Sequence, residues 1–285
     1  MKSTKTEITM ANYSIERKSY NKLTAQIARN VARKKILEIR SRGAQAADEL
    51  IDDLLEKSAK NPKSAQKSPL KDQIKFIIER NRVKWRNFII EIAGRFDAEW
   101  LSTVGVALIY GGIITSSLGN EAWASVVSIE QKDLRALTET VSKGRNRGSM
   151  VWILRGEEVF SPEIIKVCRY FPECVFVLAA GREFDASALS GVKNTLVLLP
   201  KGDQKSEKEL LRQGTPYIFA DRSDPIFDTR RKGSGEILST LPPSLMSFLE
   251  APRFPIFIED MSCGLNSVEF LLSGGKNKSI PYYFA

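Results

Sequence analysis

The stretch that most constrains this chain is Met150 to Gly181, which reads as strand, polar turn, helix, strand. Val151 to Leu154 is an unbroken apolar run, as in a strand covered on both faces. Arg155-Gly156-Glu157-Glu158 is a charged turn. Ser161-Pro162-Glu163 carries the signals of a helix start: a capping hydroxyl, proline at the first position and an acid in the first turn. That helix is expected to end near Tyr170-Phe171-Pro172. Cys174 to Ala180 is then a second apolar strand, closed by Gly181. Two parallel strands bridged by a helix form a right-handed βαβ unit, and ligands of such units sit beyond the carboxyl ends of the strands.

The same alternation runs through the second half of the chain. Strands are expected at Trp123–Ile129, Asn194–Pro200, Tyr217–Ala220, Pro255–Glu259 and Pro281–Phe284. Helices are expected at Gln131–Ser142 (ended by Gly144), Ser206–Arg212, Glu236–Glu250 and Leu265–Ser273. Seven strands, most of them separated by helices, predict an α/β fold with a parallel sheet.

The first 120 residues differ. They hold 22 Lys and Arg against 13 Asp and Glu, whereas residues 121–285 hold 21 of each, so the whole surplus of +9 lies on the N-terminal part. Ser14 to Lys60 has helical spacing (Leu23, Ile27, Val31, Ile36, Ile39, then Leu50, Leu54, Leu55) with a break at Gly43. Asn61–Pro69 reads as a linker. Leu70 to Gly94 is a further helix with a stripe of Ile74, Ile77, Ile78, Trp85, Phe88, Ile89 and Ile92. Trp100–Leu118 is 19 residues without a charge. That length invites comparison with a membrane span of ~20 residues, but its glycines, serines and threonines favour a buried helix beside the sheet. The expected boundaries are a basic helical region at 1–60, the linker at 61–69, packing helices at 70–120 and the sheet unit at 121–285.

Several chemistries are excluded. There is no histidine, so the commonest acid–base group and metal ligand is missing. The motifs G-x-S-x-G, G-x4-G-K-[ST] and G-x-G-x-x-G are absent. Cys168, Cys174 and Cys263 have no paired spacing, which fits small core side chains in a reducing, cytoplasmic setting. The polar residues expected just after strands are Glu157, Glu158, Glu183, Asp185, Lys201, Asp203, Asp221, Arg222, Asp224, Glu259 and Asp260; a ligand would be met there. The basic loop Lys143–Gly148 could clamp a phosphate or serve as a plain turn.

The order of apolar strand, Arg155–Glu158 turn, Pro162-Glu163-Ile164 helix, Phe171-Pro172, apolar strand and Ala179-Ala180-Gly181 resembles the second and third strands of the radical S-adenosylmethionine enzymes. In that family the first turn reads GGEP and its backbone holds the amino group of S-adenosylmethionine; here one Gly and the Pro are replaced. Phe227–Gly235 is similar to a D-x-R-R-G-x-G segment of one branch. Leu271–Lys276 followed by Pro281–Phe284 is similar to that branch's later helix and strand, and Lys84–Ile89 to an N-W-x-x-F-I stretch ahead of its barrel. The resemblance spans residues 80–285 and implies a partial (βα) barrel with Gly156, Glu157, Glu158 and Gly181 as cofactor-binding positions. The family's C-x3-C-x2-C loop is missing: the matching strand runs straight into Glu130–Leu134.

The expectation is therefore a radical-SAM-like protein without an iron–sulfur cluster, non-catalytic, with a binding or regulatory role. No cofactor is expected, with S-adenosylmethionine kept open as a ligand. Two alternatives stay open: a cluster-independent enzyme or binder using S-adenosylmethionine or a nucleotide at the rim, and a membrane-associated scaffold. The basic helix points to an acidic protein partner, a nucleic acid or an anionic membrane, met through Arg29, Arg33, Lys34 and Lys35.

Overall fold

A computed structural model describes residues 22–59, 69–107, 124–129, 134–181, 184–227, 243–258 and 282–284. Its centre is a seven-stranded sheet: β1 (Ala124–Ser128), β2 (Val151–Arg155), β3 (Val175–Ala179), β4 (Thr195–Pro200), β5 (Tyr217–Ala220), β6 (Ile256–Ile258) and β7 (Tyr282–Phe284). The spatial order is β6-β5-β4-β3-β2-β1-β7, and each pairing is parallel. All seven strands coincide with the expected apolar runs. Every residue of β1, β2 and β3 is buried, which is why these runs are continuous rather than alternating.

The connections are α5 (Leu134–Asn146), α6 (Pro162–Tyr170), a 3-10 turn (Ala186–Leu189), α7 (Gln204–Gln213) and α8 (Pro243–Glu250). Helix α5 packs on α6, α6 on the 3-10 turn and that turn on α7, so these connections form one layer. The Ser161 hydroxyl accepts from the Ile164 amide at 3.4 Å and Pro162 takes the first helical position, as expected of α6. Gly144 is not a helix end. It lies within α5, where a Cβ would come within 2.5 Å of the Trp152 ring, so the glycine admits the indole to the core. Helix α7 begins earlier than expected because Asp203 accepts from the Ser206 amide at 3.1 Å and caps it.

Four helices precede the sheet: α1 (Lys22–Arg42), α2 (Ala44–Ala59), α3 (Pro69–Arg80) and α4 (Arg82–Arg95). Gly43, at φ 60°, makes the expected break between α1 and α2. The single helix expected over 70–94 is two, because the Asn81 side chain donates to the Ile77 carbonyl at 3.0 Å and turns the chain. Of the expected linker, 61–68 lies outside the described residues and Pro69 already belongs to α3. Helices α1, α2 and α4 meet around Ile39, Ala46, Ala47 and Ala93. Arg82 ties α4 to α2 through Asp48 (3.0 Å) and Asp52 (2.6 Å).

The residues with helical spacing in α1 do not share one covered face. Ala25 and Ile39 are buried, but Leu23, Ile27 and Val31 are 71%, 55% and 58% exposed. The helix packs by the side that carries Ala25, Ile36 and Ile39 and turns Leu23, Ile27 and Val31 to solvent.

The uncharged stretch enters the protein. Residues 98–107 are helical, with Trp100, Ser102, Thr103, Val106 and Ala107 buried; 108–118 lie outside the described residues. No helix among the described residues is long and apolar enough to cross a membrane.

Candidate functional site

The two ends of the sheet are built differently. At the amino ends, side chains reach across from distant elements. The Asn194 amide donates to the carbonyls of Cys168 (2.8 Å), Phe171 (3.0 Å) and Cys174 (3.0 Å), fixing the entry to β3. Arg145 of the basic loop pairs with Glu173 at 2.7 Å and lies over the Phe171 ring, so it braces β3. The Trp100 indole donates to the Thr195 carbonyl at 2.8 Å, where β4 begins. Phe96, Phe254 and Tyr217 stack edge to edge beside it. Arg29 donates to the Pro172 carbonyl at 3.2 Å. The N-terminal helices thus close the amino end and leave the carboxyl rim as the candidate site.

At that rim the structure brings Gly156 and Gly181 onto adjacent strands, since Arg155 of β2 is in register with Ala179 of β3. Gly156 has φ 135°, and a Cβ there would stand 2.5 Å from the Ile129 carbonyl oxygen, so no other residue fits without moving backbone. Gly181 is exposed and its Cβ would have room, at 3.9 Å from the Phe227 carbonyl. Glu157 and Glu158 lie exposed on the turn after Gly156.

Beneath them is a pair that sequence reasoning passed over. Arg155, only 1% exposed, donates from Nε to the Ser128 hydroxyl at 2.8 Å. A cation held in the core at the end of β2 is costly unless it is hydrogen-bonded. The visible signal was a polar residue closing each of two apolar strands that lie side by side. Phe160, after β2, and Phe184, beyond β3, stack face to face at 3.9 Å over the same rim.

Most other rim acids serve their own loops. Asp185 accepts from the Ser187 hydroxyl (2.7 Å) and amide (2.9 Å); Asp221 does the same with Ser223 at 2.7 and 2.9 Å. These bonds, hydroxyl first, hold both carboxyls below their ordinary range. Asp203 caps α7, and the buried Asp224 accepts from the Ile226 amide at 2.9 Å. Lys201 lies over the Phe257 ring at 4.4 Å. Glu183, Glu259 and Asp260 lie outside the described residues, as do 228–235 and 271–276.

The cysteines are at the other end. Cys174 directly precedes β3, Cys168 sits in α6 beside it, and burial pushes both thiols well above their usual range. Among the described residues no cluster of His, Cys, Asp or Glu side chains converges to hold a metal. Cys263 lies outside the described residues.

The four cationic positions expected to meet a partner are not equivalent. Arg29 is tied to Pro172, and Lys35 faces Asp53 (3.6 Å) and Glu38 (4.0 Å). Arg33 is exposed, and Lys34 is 81% exposed although Glu38 lies 3.9 Å away. No protein-family model matches the chain, and neither a curated protein nor a solved structure matches it.

Proposed function

We propose that this chain is a radical-SAM-like partial barrel without the family's cluster, acting as a non-catalytic binding or regulatory protein whose ligand or partner meets the carboxyl rim. Two features of the sheet support the barrel reading. Strands β1 to β6 follow one another in a single direction, and the connections between β1 and β5 pack in one layer, unlike a doubly wound sheet whose order reverses. The last strand then returns beside β1, as the final strand of a (βα) barrel does, and a β6–β7 pairing would close the ring.

The observation that carries the loss of cluster chemistry is the place of the thiols. A cluster needs several thiolates converging on it. Two of the chain's three cysteines are buried at the amino end of β3, opposite the rim, and cannot reach such a site. The placement of these two thiols supports the reading that no iron–sulfur cluster is held.

The test is anaerobic reconstitution with iron and sulfide, followed by iron analysis and visible absorption. The expected result is no stoichiometric iron and no charge-transfer band; about four irons per chain would overturn the proposal. A parallel thermal titration with S-adenosylmethionine separates the alternative, because a ligand that binds only the folded state must raise stability. A rise in melting temperature without iron would favour a cluster-independent binder built around Gly156 and Gly181.

A further inference from the structure

Among the described residues, the outward face of α1 is an apolar line that neither the core nor the rim uses. Leu23, Ile27 and Val31 stand one helical turn apart and are more than half exposed; Leu37, beside this line, is 46% exposed. Lys34 continues the line and Arg33 flanks it, both turned to solvent. Burying aliphatic side chains inward is the ordinary use of an amphipathic helix. Here that role falls to Ala25, Ile36 and Ile39 on the opposite side, so Leu23, Ile27 and Val31 are left for something outside the fold.

We propose that this face of α1 docks on an anionic lipid surface. The charge of the helix selects the occupant. α1 carries seven Lys and Arg against one Glu, so a second copy of the chain would bring like charge against like charge. A nucleic acid would meet the cations but has no use for three aliphatic side chains in a row, and the helix offers no aromatic ring on which a base could stack. Protein hot spots favour Trp, Tyr and Arg and under-use Leu and Val, which is the reverse of this stripe. A lipid interface takes both halves together: aliphatic side chains enter the acyl boundary while flanking cations reach the headgroups. The inner face is held by Arg29 to Pro172 and by Arg40 to the carbonyls of Ala93 and Phe96. The helix therefore lies along the protein surface, which is the orientation an in-plane contact needs. This surface lies on the N-terminal helices at the amino end of the sheet, and the inference does not rest on the rim reading.

The experiment is vesicle sedimentation of the full chain, with phosphatidylcholine alone and with phosphatidylglycerol added. The wild type is expected to pellet with the anionic vesicles and to be released by salt, since exposed charges are screened. Leu23→Gln, Ile27→Gln and Val31→Gln together should lower partitioning by about a hundredfold or more. Arg33→Gln with Lys34→Gln should lower it by about fivefold per charge. Both variants should melt with the wild type; should the triple variant melt early, Ile27→Gln alone replaces it. Three results overturn the proposal. The first is wild type that stays in solution or binds neutral vesicles equally. The second is an apolar-stripe variant that binds like wild type, or double-stranded DNA displacing vesicles from the cations alone. The third is a concentration-dependent dimer, seen by sedimentation velocity, that the stripe variant abolishes.

Discussion

The amino and carboxyl ends of the same sheet are held by different kinds of bond. At the amino end Asn194, Arg145, Trp100 and Arg29 each reach an element far away in sequence, 143 residues away for Arg29. At the carboxyl end Arg155 reaches Ser128 beneath the rim, but Asp185, Asp203, Asp221 and Asp224 in the loops above it bond only two or three residues ahead. Long-range bonds join the elements into one base. Local caps shape these four loop segments individually, so they depend less on their neighbours than the turn after β2 does. That separation is what a fold needs if its site is to vary while its core does not.

The strongest way to break this contrast is at the two rim glycines. Gly156→Ala forces a Cβ against the Ile129 backbone from a left-handed φ and is expected to cost about 3 kcal/mol or more. Gly181→Ala meets only ordinary contacts and should stay within about 0.5 kcal/mol. Urea unfolding of both variants checks this; equal losses would mean that the rim around Gly181 is as rigid as the end of β2.

Next is the amino end. Asn194→Ala leaves three carbonyls at the entry to β3 without their shared donor, in a site only 4% exposed. A loss of about 2–4 kcal/mol is expected, measured by thermal or urea unfolding. A loss below about 1 kcal/mol would show that this clamp does not hold the base of the sheet together.

The smallest effect is expected from the exposed rim caps. The Asp185 and Asp221 carboxyls lie below their ordinary range in the folded chain because Ser187 and Ser223 donate to them. The unfolded chain binds protons first, so their contribution is complete above the unfolded value of about 4 and is lost as pH falls through the folded one. Asp185→Asn and Asp221→Asn should lower neutral-pH stability slightly and flatten its fall between about pH 4 and pH 2, so that variants and wild type converge in acid. Unfolding midpoints of wild type and variants across that range decide it.

Much of the molecule could be read in one dimension. The continuous apolar runs of β1 to β7, the Ser161-Pro162 helix start and the Gly43 break are local, and their outcome depends on neighbours a few residues away. Asn81 was legible too, as a residue whose side chain competes for the helix backbone, but the Ile74–Ile92 stripe on both sides concealed it. Two features of the candidate site could not be read that way. Arg155 and Ser128 become a buried pair only because β2 lies in register with β1. The rim acids become caps only once each loop has closed.

By itself the sequence determined the α/β class, the number of strands and the concentration of positive charge on the first 120 residues, because periodicity and composition act over short stretches. Only the tertiary structure decided which face of each helix is covered. In α1 every periodic apolar residue is a candidate for burial. The choice of Ile36 and Ile39 over Leu23, Ile27 and Val31 is made by where α2 and α4 pack, which covers one side of α1 and leaves the other outward. The same holds for Gly144, which looks like a helix stop in the sequence and becomes a seat for Trp152 once α5 lies on β2.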